Sequence, residues 1–527
     1  AADALIKAAQ ATRPPRPDGP SKTRNEYQDS ETNNTAASAQ PIDVPAQIVG
    51  TIGEAGLHGS DQDMFRFFAN RGERWIVEVA ARKDGSPLDS FIDILDGQGD
   101  SVLRTRLQAV RESYFTFRGK DSSTSDDFRL HKWEDMELDE YLYSNGEVNR
   151  LWLYPRGPDS GFKVYPGFGE RYAYFDTTPL AHALGEPTYV VRELAAGQTA
   201  LPNGLPVFEL YYENDDDSRR QNGADSRLTF VAPADGEYIL RIRDARGFGG
   251  PDYVYQATVR RPKPDFELTL KNTNMKMPPG SGREWSVNAQ RIDGLQSAIS
   301  IELSGLPPGL IATNPVIIEA EQDTALGCVF VSPSTIFSQG SANDAQADSS
   351  DTPAATSTTE EGEAQSAEPS EQSFEISLTA RATVDGREIV KVLPETLAIT
   401  IDPSLKEVQL RLMPVSSQPG TDSQRELEEL TIHPGETISA RVVVQRNGTQ
   451  SRIGFGKEDS GRNLPHGAFV DNIGLNGLLI TEEQNEREFF ITGAAKVARG
   501  RRQFHLQSDT KGNPTSRPIW LNVLPNE

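Results

Sequence analysis

One cysteine occurs in the 527 residues of this chain, Cys328 within Leu-Gly-Cys-Val-Phe-Val. A single thiol excludes a disulfide framework inside the chain and any metal site built from several thiolates. Its apolar, β-forming neighbours favour a buried position on a strand over a role as a nucleophile.

Basic residues and long apolar runs are also scarce. The chain has 53 Lys and Arg against 77 Asp and Glu, a formal net charge of -24. Phosphate recognition needs clustered positive charge, so this balance disfavours a nucleic-acid partner or an anionic membrane surface. No run approaches the roughly 18 apolar residues of a transmembrane helix, so we expect no membrane span in this chain. The acidic excess suits solvation or cation binding.

The common catalytic signatures are missing. The sequence has no Gly-x-Ser-x-Gly elbow, His-Glu-x-x-His helix, Walker loop or dinucleotide fingerprint, and its six histidines show no pair at metal-ligand spacing. Paired carboxylates near 134–140 could in principle act on a glycosidic bond, but acidic surfaces offer such pairs routinely. We therefore expect no enzymatic activity from these residues.

Short runs of alternating apolar and polar residues are abundant. Phe65 and Phe67, and then Trp75, Val77 and Val79, point to one side of their segments if the chain is extended. A period of two over such short runs predicts strands with one buried face. Gly- and Asp-containing turn sequences separate the runs, so the predicted fold class is all-β.

One of these turns resembles a calcium loop. In Asp96-Gly-Gln-Gly-Asp, Leu107 stands where an EF-hand would place its bidentate Glu. We therefore interpret the segment as a hairpin turn.

The length suggests about three domains. We predict a linker or tail of a preceding module at 1–28, a β-sandwich at 29–261 with a β-rich insertion at about 104–207, and two immunoglobulin-like sandwiches at 264–402 and 403–527. The first of these two carries a Ser-, Ala- and Glu-rich insert at about 336–372 that we expect to be disordered. The start Ala-Ala-Asp, without Met, suggests a processed product or a fragment.

An internal repeat links the last two predicted sandwiches. Pro279-Gly, Gln290-Arg, Leu306-Pro-Pro-Gly and Pro315-Val-Ile-Ile-Glu recur in order as Pro434-Gly, Gln445-Arg, Leu464-Pro-His-Gly and Leu478-Leu-Ile-Thr-Glu. Matches in the same order at a nearly constant offset indicate two copies of one module.

The N-terminal third contains a series of motifs in a fixed order: Glu31-Thr-Asn-Asn-Thr, Asp61-Gln-Asp-Met-Phe-Arg-Phe, Leu95-Asp-Gly-Gln-Gly, Asn214-Asp-Asp and Pro233-Ala-Asp-Gly-Glu-Tyr. In these motifs it resembles a bacterial pre-peptidase C-terminal domain. With the immunoglobulin-like modules, the chain is similar to exported multi-domain proteins of planctomycete-type bacteria. The resemblance implies a jelly-roll-like sandwich, export from the cytoplasm and an accessory role, without implying peptidase activity.

Three functions remain open at this point. The first is a non-catalytic structural or adhesion module of a secreted, periplasmic or cell-surface protein, with an unknown protein or polysaccharide as partner. The alternatives are the C-terminal accessory region of a secreted peptidase or other hydrolase whose catalytic domain lies upstream, and a carbohydrate-binding module.

Two sets of candidate site residues follow. Calcium prefers several carboxylate oxygens on converging loops, and the two halves of the split sandwich would supply Asp61, Asp63, Asp215, Asp216, Asp217 and Asp225. The insertion offers aromatic side chains that could stack on a ligand or form the core of the insertion, namely Trp133, Tyr141, Trp152, Tyr154 and Tyr165.

Overall fold

The structure is a computed structural model that describes residues 25–54, 60–117, 127–155, 161–167, 169, 171–333, 371–415, 426–471 and 476–526. Within these ranges the chain is all-β, as predicted, and its helical turns are the short 3-10 segments Ala36–Ser38, Arg82–Asp84, Trp133–Asp135 and Glu458–Ser460. Residues 1–24 of the predicted tail and 334–370, which include most of the predicted disordered insert, lie outside the described residues. The chain forms two compact units, Ala1–Lys263 and Pro264–Glu527.

The described residues of the first unit contain seventeen strands. They are β1 Asn25–Gln28, β2 Gln40–Pro41, β3 Ala46–Thr51, β4 Asp63–Ala69, β5 Arg74–Ala80, β6 Ser90–Asp96, β7 Leu103–Tyr114, β8 Asp127–Phe128, β9 Tyr141–Ser144, β10 Glu147–Leu153, β11 Phe162–Val164, β12 Pro187–Leu194, β13 Val207–Tyr211, β14 Glu213–Asn214, β15 Arg227–Val231, β16 Gly236–Asp244 and β17 Val254–Arg260. Strand β1 pairs in parallel with β3. The four residues of β1 therefore belong to the folded domain, although we predicted them to be part of the linker at 1–28.

Two five-stranded sheets build the first sandwich, in the orders β1-β3-β17-β5-β15 and β14-β6-β16-β4-β2. Strands from before and after the insertion pair directly, because β16 lies between β4 and β6 while β5 lies between β15 and β17. One apolar cluster joins the two sheets and contains all five alternating residues predicted to share a buried face, Phe65, Phe67, Trp75, Val77 and Val79.

The Asp96 segment is a turn, as predicted. Asp96 Oδ1 accepts hydrogen bonds from the backbone N–H groups of Gln98 (2.9 Å) and Asp100 (3.0 Å). A bridge between Leu95 and Ser101 closes the turn. The Asp96 side chain therefore stabilises the reversal that carries the chain from β6 into β7.

The segment inserted between β6 and β14 forms its own seven-stranded sheet, in the order β13-β7-β12-β9-β10-β11-β8. Its apolar core is separate from that of the sandwich and is rich in tyrosine. Fully buried Glu147 lies beside fully buried Arg171 and His182 at one side of this sheet. The insertion is thus a subdomain with its own apolar core and its own buried charged residues.

The second unit contains the remaining strands of the described residues. They are β18 Asp265–Lys271, β19 Asn274–Met277, β20 Gly282–Ile292, β21 Ile299–Ser304, β22 Leu310–Ala312, β23 Val316–Ile318, β24 Thr324–Val331, β25 Gln372–Val384, β26 Arg387–Val392, β27 Leu397–Ile401, β28 Gln409–Met413, β29 Glu429–Ile432, β30 Thr437–Gln445, β31 Ile453–Gly454, β32 Ala468–Asp471, β33 Leu479–Ile480, β34 Glu486–Gly493, β35 Gly500–Phe504 and β36 Ile519–Val523.

Corresponding strands of the predicted repeat occupy corresponding positions. The sheet β18-β20-β24-β22 has the same order as β28-β30-β34-β32, and each copy also carries one parallel pair, β19 with β27 and β29 with β36. Gly280 and Gly435, which precede β20 and β30, both have a positive φ (+81° and +83°), a conformation that glycine adopts without steric strain. Each copy has its own apolar core.

Cys328 lies on β24 and is fully buried, as predicted. Burial raises the pKa of its thiol to about 12, so the thiolate form that nucleophilic chemistry requires is disfavoured at neutral pH.

Candidate functional site

Asp61 and Asp63 lie at the start of β4 in the first sandwich. Asp63 is fully buried, and its Oδ2 accepts a hydrogen bond from the Tyr255 hydroxyl at 2.6 Å. Its Oδ1 is also buried and has no hydrogen-bond partner. Asp61 is partly exposed, and its Oδ2 accepts a hydrogen bond from the backbone N–H of Gly53 at 2.6 Å.

The loop after β1 brings further oxygen atoms to the same place. Asp29 is buried and accepts hydrogen bonds from the Ser30 N–H (2.8 Å) and from Asn33 Nδ2 (2.8 Å). Asn33 is fully buried, and its Oδ1 has no hydrogen-bond partner. Glu31 adopts a positive φ of 53°, which curls the loop around this point.

Glycine at position 53 leaves room for two carboxylates. A Cβ atom added there would lie 3.1 Å from Asp61 Oδ2 and 3.8 Å from Glu31 Oε2. These two side chains therefore face the same backbone segment. We call the set Asp29, Glu31, Asn33, Asp61 and Asp63 the β4 acidic cluster.

Burial raises the pKa values of three carboxyl groups in the β4 acidic cluster, and neighbouring carboxylates raise them further. Burial, followed by the nearby charges of Asp29, Asp61 and Glu31, raises the pKa of Asp63 to about 8 despite the hydrogen bond from Tyr255. Burial and nearby carboxylates also raise the pKa of Asp29 and of Glu31. Each shift disfavours the charged form of the carboxyl group.

Within the described residues, none of the four carboxylates of the β4 acidic cluster forms an ion pair. Two fully buried side chains, Asn33 and Asp63, each present an oxygen without a partner. Buried oxygens without partners are rare and call for an explanation. Hard cations coordinated by six to eight oxygens would satisfy them, so the residues present fit such an ion.

A second acidic group surrounds Asp215 and Asp216. One carboxylate oxygen of each, together with one of Asp89, lies within 4.8 Å of the others. Arginines pair with one member of this group, because Asp89 lies 3.4 Å from Arg82 and 3.3 Å from Arg246. Burial and the neighbouring carboxylates still raise the pKa of Asp215 to about 6 and also raise that of Asp216, and Asp215 Oδ1 has no hydrogen-bond partner. The short distances between its oxygens make this second group a candidate cation site. We give the β4 acidic cluster the greater weight, because none of its carboxylates forms an ion pair within the described residues, whereas Asp89 already has two arginine partners.

Asp217 and Asp225, also predicted as metal ligands, are bonded to the backbone instead. Asp217 accepts hydrogen bonds from the N–H groups of Arg219 (3.1 Å) and Asn222 (2.7 Å). Asp225 accepts three, from consecutive residues that follow β5. The six predicted ligands thus divide into three places, and only Asp61 and Asp63 lie in the β4 acidic cluster.

Asp29, Glu31 and Asn33 belong to the β4 acidic cluster but were not among the six predicted ligands. The alternation Asp29-Ser-Glu31-Thr-Asn33 is visible in the sequence, and placing oxygens at every second residue of a loop is a usual way to surround an ion. This spacing could have identified the loop as a candidate ligand, although the loop contains no run of consecutive acidic residues such as 215–217.

The predicted aromatic ligand surface is largely built into the insertion. Tyr165 is buried, and its hydroxyl donates to Asp139 Oδ1 at 2.7 Å. Trp152 packs against Gly167, and the Tyr141 ring meets that of Tyr174 edge-on at 5.3 Å. The Tyr154 hydroxyl accepts a hydrogen bond from the Leu138 N–H at 3.4 Å, and Trp133 lies partly exposed in a 3-10 turn.

No protein-family model and no curated protein matches the chain. Similar solved structures include a protein of unknown function from Porphyromonas gingivalis W83, at 11% identity over 49% of this chain and 98% of that one, with a TM-score of 0.15. They also include domains 5-6 of the S-layer protein SbsC, at 11% identity over 50% of this chain and 100% of that one, with a TM-score of 0.17. Both scores are too low to bear on the function of this chain.

No helix among the described residues has the length and apolar character needed to cross a membrane.

Proposed function

We propose that the chain is a non-catalytic structural or adhesive module that acts outside the cytoplasm. The observation that carries the proposal is a buried polar junction between the two sandwiches of the second unit. Glu284 of β20 is 8% exposed at its side chain and binds both guanidinium nitrogens facing it on Arg462, at 2.6 and 2.8 Å. His505 Nε2 lies 3.0 Å from the same carboxylate.

A second set of contacts reinforces this junction. Arg502 of β35 pairs with Glu319, which also accepts a hydrogen bond from the His466 N–H at 3.0 Å. The hydroxyl of Thr515 lies 3.1 Å from Cys328 Sγ. Contacts of this kind restrict rotation between neighbouring sandwiches, which suits a protein that transmits force or holds a fixed shape.

The proposal includes calcium as a stabilising ion of the first unit. Asp29, Glu31, Asn33, Asp61 and Asp63 would hold it through side-chain oxygens, and its charge would offset their mutual repulsion. The ion would thereby fix the loop after β1 to the start of β4.

Surface labelling tests the extracytoplasmic role. Antibodies raised against the full chain should label intact, unpermeabilised cells of the source organism, and external protease should remove the signal. A known cytoplasmic protein serves as the control for cell integrity. Labelling that appears only together with that of the cytoplasmic control, after the inner membrane has been permeabilised, would contradict the proposal.

Thermal unfolding of the full chain tests calcium. A ligand that binds only the folded state stabilises it by RT ln(1 + [L]/Kd), so excess calcium over chelator should raise the first unit's melting temperature by several degrees. Asp61→Asn should remove this increase, while Asp216→Asn in the second acidic group should retain it. The same increase in both variants, or none in the unmodified chain, would exclude the site.

A further inference from the structure

A histidine is buried between two carboxylates in the segment that leads from β11 to β12. His182 is 1% exposed; its Nε2 lies 2.7 Å from Glu147 Oε2 on β10, and its Nδ1 lies 2.8 Å from Oε1 of Glu186, the residue before β12. The Phe115 ring stacks on the imidazole at 4.8 Å with an interplanar angle of 10°, and the Phe128 ring meets it edge-on at 5.5 Å. The imidazole therefore joins this segment to β10 in a place closed to solvent.

Hydrogen-bond geometry determines which form of this ring fits its two neighbours. Burial raises the pKa of Glu147, but the hydrogen bonds and charges of His182 and Arg171 lower it to about 2, so Glu147 is ionised at neutral pH. Glu186 accepts a hydrogen bond from the Ala183 N–H at 2.8 Å through its other carboxylate oxygen. An ionised carboxylate only accepts hydrogen bonds, and a neutral imidazole donates from one nitrogen alone. Both contacts of His182 are satisfied together when the ring is an imidazolium cation that donates from each nitrogen.

The charges around the ring balance in the same form. Arg171 is fully buried and pairs with Glu147 at 2.8 Å. The two carboxylates, the guanidinium and an imidazolium sum to zero, whereas a neutral ring leaves one negative charge in excess. Such an excess is costly, because the side chains of Glu147, Arg171 and His182 are all fully buried. The other groups packed against the ring, Phe115 and Phe128, carry no charge that could compensate it.

We propose that His182 is a pH-sensitive latch that holds residues 171–186 against β10 while its ring is protonated. Loss of the proton removes one of the two hydrogen bonds and leaves the excess negative charge. A histidine that is charged in the folded protein contributes stability that is complete below about pH 6.5, the usual pKa of the side chain in an unfolded chain. This stability is lost as the pH rises through the higher pKa of such a folded state. The segment should therefore loosen in alkaline solution.

The latch goes beyond the proposed function and does not depend on it. His182 lies in the insertion, whereas the β4 acidic cluster belongs to the first sandwich and Glu284 to the second unit. Surface exposure and the calcium effect can therefore persist where the latch fails, and the reverse also holds.

Nuclear magnetic resonance of the full chain, labelled with ¹⁵N-histidine, tests the charge of the ring. The signals of His182 are those that disappear in His182→Gln. At pH 7 both of its ring nitrogens should show the shifts of an imidazolium ion. His131 is exposed, is assigned in the same way through His131→Gln, and provides the reference for a ring that exchanges its proton with solvent. An unprotonated nitrogen in His182 at pH 7 would overturn the proposal.

Thermal unfolding tests the latch itself. His182→Gln should melt several degrees below the unmodified chain at pH 6, because it lacks the charge that joins the two carboxylates. At pH 9 the unmodified chain has lost that charge as well, so the difference in melting temperature should shrink by more than half. Comparing the two chains at each pH cancels the contributions of the other titrating groups. His131→Gln should match the unmodified chain at both pH values.

A second variant covers the case in which His182→Gln does not fold. The side chain of Glu186 is 15% exposed, so Glu186→Gln is the milder change, and it removes one of the two charges that hold the imidazolium. Its difference from the unmodified chain should narrow between pH 6 and pH 9 in the same way. A difference that stays constant over this range in the variants that fold would overturn the proposal.

Discussion

Asp225 is 1% exposed, and its carboxylate accepts hydrogen bonds from three consecutive backbone N–H groups, those of Ala81 (3.2 Å), Arg82 (2.8 Å) and Lys83 (3.2 Å). The carboxylate is 143 residues away in sequence from the central one of these donors. It fixes the turn after β5 to the start of β15, across the whole insertion.

Replacing Asp225 should therefore act on stability and leave cation binding intact. Asp225→Asn turns an amide donor towards groups that are themselves donors, and hydrogen bonds to charged groups contribute about 1.5–3 kcal/mol each. We expect a loss of about 3 kcal/mol in the first unit, measured by urea unfolding of the full chain. Asp252→Asn, at an exposed position, should change the stability by less than about 0.5 kcal/mol.

The response to calcium shows whether Asp225 is a calcium ligand or a structural hydrogen-bond acceptor. If Asp225→Asn abolished the calcium-induced rise in melting temperature while leaving the basal stability unchanged, Asp225 would be a ligand and the structural interpretation would be wrong.

At the residue scale the sequence shows which side chains are acidic but not what they face. Asp63 and Asp225 are both buried aspartates in the same sandwich, yet one has an unpartnered oxygen among other carboxylates and the other is surrounded by N–H groups. The donors around Asp225 lie 142–144 residues away in sequence, and Asp29 and Glu31 reach Asp63 from a separate loop that precedes β2. Local patterns carry no information on such contacts, so the ligand set could be predicted only in part.

At the scale of single elements, β10 depends on one buried carboxylate. Glu147 accepts hydrogen bonds from Arg171 Nε (2.8 Å), from the Leu180 N–H (3.0 Å) and from Asn149 Nδ2 (3.0 Å), and His182 Nε2 lies 2.7 Å from it. The other ring nitrogen of His182 lies 2.8 Å from Glu186. These contacts link β10 to the long connection that precedes β12.

This network predicts sensitivity of the insertion to acid. Burial raises the pKa of Glu147, but the hydrogen bonds and charges of His182 and Arg171 outweigh it and lower the pKa from 4.5 to about 2. A carboxyl group with a lowered folded-state pKa contributes stability that is complete above about pH 4.5 and is lost as the pH falls towards 2. At 1.36 kcal/mol per pKa unit, the contribution is about 3 kcal/mol.

Glu147→Gln should remove both the contribution and its pH dependence. We expect unfolding free energies measured between pH 7 and pH 2.5 to converge for the variant and the unmodified chain at the acid end. Glu112→Gln, at an exposed position of β7, should follow the unmodified chain throughout. A variant that stayed parallel to the unmodified chain down to pH 2.5 would show that Glu147 does not carry the effect.

Many of the strands, and the face that each one buries, could be predicted from the sequence for a physical reason. Alternation in β4 and β5 reports directly which face is buried, because side chains on a strand point to opposite sides with a period of two. Strand partners were less accessible, since β1 and β3 pair in parallel across a connection that contains β2. Nothing in four residues such as Asn25–Gln28 distinguishes an edge strand from a linker.

At the scale of the second unit, the repeat predicted two similar sandwiches but not how they meet. Glu284 and Arg462 are 178 residues apart, and Arg462 follows a 3-10 turn with no obvious sequence pattern. The repeat equates residues at the same place in each copy, whereas a junction joins different places in the two copies. An internal repeat therefore predicts the modules and leaves their interface open.

Breaking this junction should uncouple the two sandwiches. Burial raises the pKa of Glu284, yet the hydrogen bonds from Arg462 and His505 lower it to about 2, which shows that the ionised form is strongly held. Glu284→Gln removes the charge that compensates Arg462, whose side chain is 23% exposed. Breaking a buried pair costs about 3–5 kcal/mol, and we expect the lower end of that range for this partly exposed one. Calorimetry of the full chain should then resolve separate transitions for the two sandwiches where the unmodified chain shows a joint one.

An exposed ion pair of the same unit provides the matched control for this prediction. Arg501 and Glu429 lie 3.2 Å apart with both side chains more than half exposed, and such pairs contribute about 0–1 kcal/mol. Glu429→Gln should therefore leave the joint transition intact. Separate transitions in the unmodified chain, or a joint transition that persists in Glu284→Gln, would show that the buried contacts do not couple the sandwiches, and the structural function would lose the observation on which it stands.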